Sequence, residues 1–161
     1  MRPPLPPVDR DQVEAFWQRC RAAGAVAPDA AVPEVVGAFG DHVEMADSLL
    51  ALVVQGRKRA TAGALADFAH DGEPLPQIGS CWIATDGAGR PRAMLRCTDV
   101  RIGPLSSVDD SFAWDEGEND RTRAGWLGRT RTISVGTYQR SASGFIPTSK
   151  VFERFAVDYH E

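Results

Sequence analysis

Gly56-Arg57-Lys58-Arg59-Ala60-Thr61 is where the chain changes its structural rhythm, and the fold follows outward from it. The residues before it repeat at helical spacing, and those after it alternate like strands. Gly56 is a natural left-handed stop for the helix running up to it. Lys58 is the unexpected residue: of 18 Lys and Arg residues, only Lys58 and Lys150 are lysine. Arginine stays protonated under ordinary conditions, whereas a lysine amine can be desolvated and made to give up its proton. A hydroxyl, Thr61, follows three residues on, and an amine beside a hydroxyl is the pattern of an activated nucleophile. The same residues also read as a solvated basic turn, where the negative end of the helix dipole favours a charged lysine.

Upstream, Asp9 and Gln12 form a capping-box-like pair, Gly24 is a stop, and Val13, Phe16, Trp17 and Cys20 fall on one helical face. That stripe reads as core rather than as a ligand site, and Ala25–Pro33 reads as a loop. Asp41 and Glu44 form a second capping-box signature ahead of Met45, Leu49, Leu52 and Val53, predicting a helix that ends at Gly56. Downstream, Thr61 lies in an Ala-rich extended stretch, and Asp71-Gly72, Pro74 and Pro76 mark turns. Ser80–Thr85 and Arg92–Ile102 read as strands joined by a hairpin at Asp86–Gly89. Asp109–Trp114 and Arg121–Leu127 read as short helices, and Thr130–Tyr138 as a further strand. Val151–Tyr159 is the closing strand, with Val151, Phe155, Val157 and Tyr159 expected on one face together with Glu153. Helices first and hairpin-linked strands after predict an α+β domain with a curved, largely antiparallel sheet.

With 161 residues, 43% of them hydrophobic, the chain has enough length for one domain with a real core. Residues 1–8 are proline-rich and read as a disordered or extended lead-in; residues 9–161 form the domain, with 9–37 as an N-terminal helical extension. A net charge of −4 gives no general attraction to nucleic acid. The charges are segregated, however. Ser107–Asp120 holds Asp109, Asp110, Asp115, Glu116, Glu118 and Asp120 with no base, and Arg121–Lys150 holds six bases with no acid. Such halves either flank a dipolar cleft or pair with each other across the surface. Cys20, Cys81 and Cys97 have no disulfide-like spacing and fit a reducing cytoplasm. No apolar run reaches membrane-spanning length. His42, His70 and His160 are isolated, without metal spacing, and no glycine-rich nucleotide loop is present, so neither metal nor cofactor is expected.

Taken in order, several segments resemble the ASCH domain, a small module similar to the PUA fold of RNA-modifying proteins. Phe39-Gly40-Asp41 with Glu44-Met45-Ala46-Asp47 is similar to the helix entry of the stand-alone bacterial members. Gly56 to Thr61 matches the family's Gly-x-Lys-x-x-Thr motif. Gly72-Glu73-Pro74-Leu75-Pro76, Gly79-x-x-Trp82 and Leu95–Val100 resemble its barrel strands and their approach. Phe112–Asp120 matches the Ala-x-x-Glu-Gly segment, and Glu153-Arg154-Phe155 through Tyr159 resembles the closing element. The likeness spans about Ala38 to Tyr159. It implies a PUA-like curved antiparallel β-barrel with flanking helices.

For function, the resemblance implies either of two classes. Some small ASCH members are amidohydrolases that deacylate N4-acetylcytidine and related nucleosides with a lysine, a threonine and a glutamate. Position by position these fall on Lys58, Thr61 and Glu116. Lys58, kept neutral by Arg57 and Arg59, would take the proton of the attacking Thr61 hydroxyl. Glu116 would supply or remove the proton at the departing amine or the deacylating water. Arg57, Arg96 and Arg121 are the candidates for substrate binding. Equally, Lys58 and Glu116 read as a salt bridge between two loops and Thr61 as a strand residue. Other members are single-stranded RNA nucleases or RNA-binding modules, for which the bases of Arg121–Lys150 would hold phosphates and Trp114, Trp126 or Tyr138 would stack on a base. The chain departs from the family pattern at Gly63, at Thr122, and at Thr130, Arg131 and Ile133, which puts the pocket wall there in question.

Overall fold

The computed structural model describes residues 2–128 and 149–161. The strand expected over Thr130–Tyr138, and Arg129, Arg131, Tyr138 and Arg140, lie outside the described residues. Helix α1 (Arg10–Ala22) starts as its sequence predicts. Asp9 accepts from the backbone of Asp11 and Gln12, and the Gln12 amide donates back to the Asp9 carboxylate at 3.3 Å. Helix α2 (Val43–Val54) follows the short strand β1 (Val36–Ala38). Its expected capping box does not form. His42 takes the cap position without a side-chain cap bond, because the Asp41 carboxylate engages the His42 ring at 2.6 Å instead. Gly56, at φ +81°, ends the turn beyond α2.

Strand β2 (Ala60–Ala64) runs directly into α3 (Leu65–Asp71), which Gly72 closes at φ +65°. The sequence reading has no helix here, because α3 buries no residue and so carries no apolar stripe. Strands β3 (Cys81–Thr85) and β4 (Pro91–Pro104) form the expected hairpin. Asp86 organises its turn by accepting from the backbone of Ala88 and Arg90 at 2.9 and 3.0 Å. Helix α4 (Asp110–Glu116) and a helical segment over 123–128 precede the closing strand β5 (Ser149–His160).

The five strands lie in the order β1-β3-β4-β5-β2 and make a curled half-barrel. The sheet is mixed rather than wholly antiparallel: β1 runs parallel to β3, and the other pairs are antiparallel. The long β4–β5 ladder shifts register twice, and such bulges bend and twist the strands that carry them. The shift at Asp158 also corrects an expectation. Val157 packs on one side of the sheet with Phe155, but Tyr159 turns to the other, where its ring meets Phe16 at 5.5 Å. Helix α1 covers that second face through Ile83 and Met94, and α2 covers the first through Ala84 and Leu95. A third cluster joins α4 and Trp126 to Ala60 and Phe152 at the β2–β5 end. Among the described residues, no helix is long and apolar enough to cross a membrane.

Candidate active site

Two tight backbone turns bring the lysine and the glutamate together. After α2, the N–H groups of Arg57 and Lys58 both donate to the Leu52 carbonyl, which turns the Lys58 side chain inward. At the end of α4, Gly117 takes φ +72° and lies against the Arg57–Lys58 backbone. A side chain at Gly117 would overlap the Arg57 carbonyl, so only glycine permits this approach. Arg57 fastens the contact by donating to the Gly117 and Asn119 carbonyls at 2.7 and 2.9 Å.

The Lys58 amine is 1% exposed. It donates to Glu116 Oε2 at 2.6 Å, Glu118 Oε2 at 3.0 Å and the Ala60 carbonyl at 2.8 Å. The Phe39 ring lies 5.6 Å away. The other Glu116 oxygen accepts from the Trp126 indole at 3.2 Å. Burial raises the pKa of Glu116 and Glu118 adds to the effect, while the Lys58 charge opposes it. The surroundings of Lys58 differ from those expected. Arg57 is spent on carbonyls and Arg59 Nε donates to the Gly56 carbonyl at 3.0 Å, so carboxylates face the amine instead of guanidinium groups.

Thr61 stands one peptide beyond the carbonyl that Lys58 holds and lines a cleft of about 520 Å³. That volume lies within the range of small-molecule pockets, about 300–1,000 Å³. Phe39 and Trp82, packed edge to face at 5.1 Å, form its aromatic wall. Its lining also holds Glu34, Glu73 and Glu153, and no Lys, Arg or His among the described residues. Glu153 sits directly across from Thr61 in the β2–β5 register. It is 7% exposed, and among the described residues its buried Oε1 has no hydrogen-bond partner; neither has the buried indole nitrogen of Trp82. Burial pushes the Glu153 pKa up to about 7, against the opposing influence of the Trp82 indole.

The structure therefore brings Lys58 and Glu116 into contact. Thr61 lines the cleft, whereas Lys58 and Glu116, both buried, are not among its lining residues. Arg57, Arg96 and Arg121 are not among the cleft's lining residues. Arg96 pairs with Asp158 at 2.7 Å, and Arg121 lies over the Trp114 ring at 3.7 Å from its centroid. Of the cleft's lining, only Thr61 carries a role in the sequence reading; Glu153 and Trp82 carry none. The signal available was an acid in the middle of the apolar alternation Val151-x-Glu153-x-Phe155.

The curled sheet, its flanking helices and the cleft beside Thr61 define a PUA-like α+β domain with room for a small ligand. The chain belongs to the ASCH domain family, whose model matches residues 35–158, so α1 precedes the matched region. The crystal structure of protein EF3133 from Enterococcus faecalis V583 is similar at 33% identity with a TM-score of 0.77, covering 91% of this chain and 88% of that one. An ASCH domain crystal structure from Lactobacillus crispatus JV V101 shares the fold at 23% identity and a TM-score of 0.76, covering 94% of this chain and 96% of that one. No curated protein matches the chain.

Proposed function

We propose that the cleft hydrolyses the amide of an acylated nucleoside such as N4-acetylcytidine. The observation that carries this reading is the placement of Thr61 on the cleft, one peptide from the Ala60 carbonyl to which the buried, Glu116-paired Lys58 amine donates. In the reaction, Thr61 Oγ bonds to the acyl carbon and its proton passes to the Lys58 amine, which has handed a proton to Glu116. The raised pKa of Glu116 favours that hand-over. The C–N bond then breaks, and the departing amine leaves with the proton. Water repeats the exchange on the threonine ester and releases the carboxylic acid. The carboxylates lining the cleft favour an uncharged nucleoside over a phosphate-bearing strand. A non-catalytic or nucleolytic reading on single-stranded RNA draws on Trp114, 58% exposed with Arg121 stacked on it, as a base platform.

The test is cytidine release from N4-acetylcytidine by the native chain and by Lys58→Arg. Arginine keeps the charge and cannot act as a base. Turnover by the native chain that is lost in the variant is the expected result. No turnover by either overturns the hydrolase reading and leaves the RNA module in front.

A further inference from the structure

Buried polar atoms without partners are rare in folded proteins, and each calls for a physical reason. Two of the three such side-chain atoms among the described residues, Glu153 Oε1 and Trp82 Nε1, belong to residues lining the same cleft. One is an acceptor and the other a donor. They come from β5 and β3, and the Trp82 indole is near enough to influence the Glu153 carboxyl without making a bond of hydrogen-bond geometry. Phe39 and Phe155 flank Trp82 edge to face at 5.1 and 6.3 Å and fix the plane of the indole. Thr61 lies across the strand pair from Glu153, where directly opposed side chains stand about 5 Å apart at Cβ.

We propose that Glu153 and Trp82 are the recognition pair of the cleft, reading the donor–acceptor edge of an uncharged nucleobase. Glu153 Oε1 accepts from the exocyclic N–H, and Trp82 Nε1 donates to the adjacent ring or carbonyl acceptor. This rests on the nucleoside-hydrolase reading and deepens it, because it puts the amide N–H of an acylated base beside Thr61. Glu153 is then a positioning and specificity residue. A site built to bond a ligand N–H discriminates strongly against analogues lacking it, since its buried groups are otherwise left unpaired. A neighbouring carboxylate, Glu73, lines the same cleft and would repel a 5′-phosphate.

The experiment is calorimetric titration of the native chain, Glu153→Gln and Trp82→Phe with cytidine, N4-acetylcytidine and cytidine 5′-monophosphate, alongside turnover of N4-acetylcytidine. Trp82→Phe removes the donor and is expected to weaken nucleoside binding about tenfold, the loss of about one hydrogen bond to a buried group. Glu153→Gln keeps a neutral acceptor and loses the charge-assisted part of the bond, so it is expected to weaken binding mainly above pH 7. The monophosphate is expected to bind more weakly than cytidine. Native affinity should rise as pH passes through 7 and the Glu153 carboxylate forms, and the glutamine variant should lose that rise. Glu73 and Cys97 also face Glu153; Glu73 titrates in either chain, and the Cys97 thiol, pushed up to about 11 by burial, stays protonated near pH 7. Nucleoside binding that is the same in all three chains, or absent from the native chain, overturns the pair. Turnover undiminished in Glu153→Gln overturns the pair and leaves the hydrolase standing. Binding that depends on the pair without any turnover overturns the hydrolase and upholds the pair.

Discussion

Replacing Glu153 by glutamine should stabilise the protein, and only above a particular pH. The side chain is 7% exposed, and burial lifts its pKa from the ordinary 4.5 to about 7. The folded chain therefore holds a proton that the unfolded chain releases between pH 4.5 and 7. Stability contributed by this group falls as pH rises through that window and stays lost above 7. The interval from 4.5 to 7, at about 1.4 kcal/mol per pH unit, comes to about 3 kcal/mol. Glutamine keeps the shape and does not titrate. Its advantage over the native chain should be near zero below pH 4.5 and approach about 3 kcal/mol at pH 8. Urea unfolding of both chains at pH 4.5, 6 and 8 measures this. With an m-value of about 2 kcal/mol/M, the midpoints should separate by about 1.5 M at pH 8. Glu73 titrates in both chains and cancels to first order, and the Cys97 thiol, pushed up to about 11, stays protonated over this range. A midpoint difference that stays constant with pH would refute the reasoning, because it would mean that the Glu153 carboxyl is not held protonated by burial.

Lys58→Met fills the stem volume but removes the cation from Glu116, and breaking a buried pair this way costs about 3–5 kcal/mol. Because burial already raises the pKa of Glu116, the deficit in urea unfolding should be larger at pH 8 than at pH 5. Gly117→Ala places a Cβ against the Arg57 carbonyl and 2.8 Å from Lys58 Cα, in a left-handed conformation. It should lose at least about 1–3 kcal/mol in the same measurement, and more if the two turns separate.

The parts of this fold legible in the sequence are those fixed by local chemistry. The Asp9 cap, the Gly56 stop and the Asp86 turn each act over a few residues, and each stands where its sequence predicts. The Asp41 cap is lost locally, to the ring of the neighbouring His42, but the other misses are set beyond the segment itself. Strand β1 is three residues long and exists by pairing in parallel with β3, and α3 is held without a buried face. The face taken by Tyr159 depends on a register shift against β4 that no alternation within β5 can reveal. The site divides the same way. Lys58 stands out as a lysine in an arginine-rich chain, and Glu116 through the segment around it. Glu153 is unremarkable until the closing strand pairs with β2 and puts it opposite Thr61.

Glu116 and Glu153 are buried carboxyls in opposite circumstances, with one aromatic ring between their settings. Glu116 has a partner on each oxygen, Lys58 and Trp126. Glu153 lines the cleft, and its buried Oε1 has no hydrogen-bond partner among the described residues. Phe39 stands over the Lys58 amine and also forms the cleft wall against Trp82. A ring in that place keeps water from the amine while presenting an apolar surface to a ligand. Separating a saturated acid–base pair from an unsaturated recognition pair lets one fold position a neutral ligand without weakening the ion pair behind it. A charged group on the cleft side of Phe39 would couple the two, since electrostatic interactions strengthen where water is excluded.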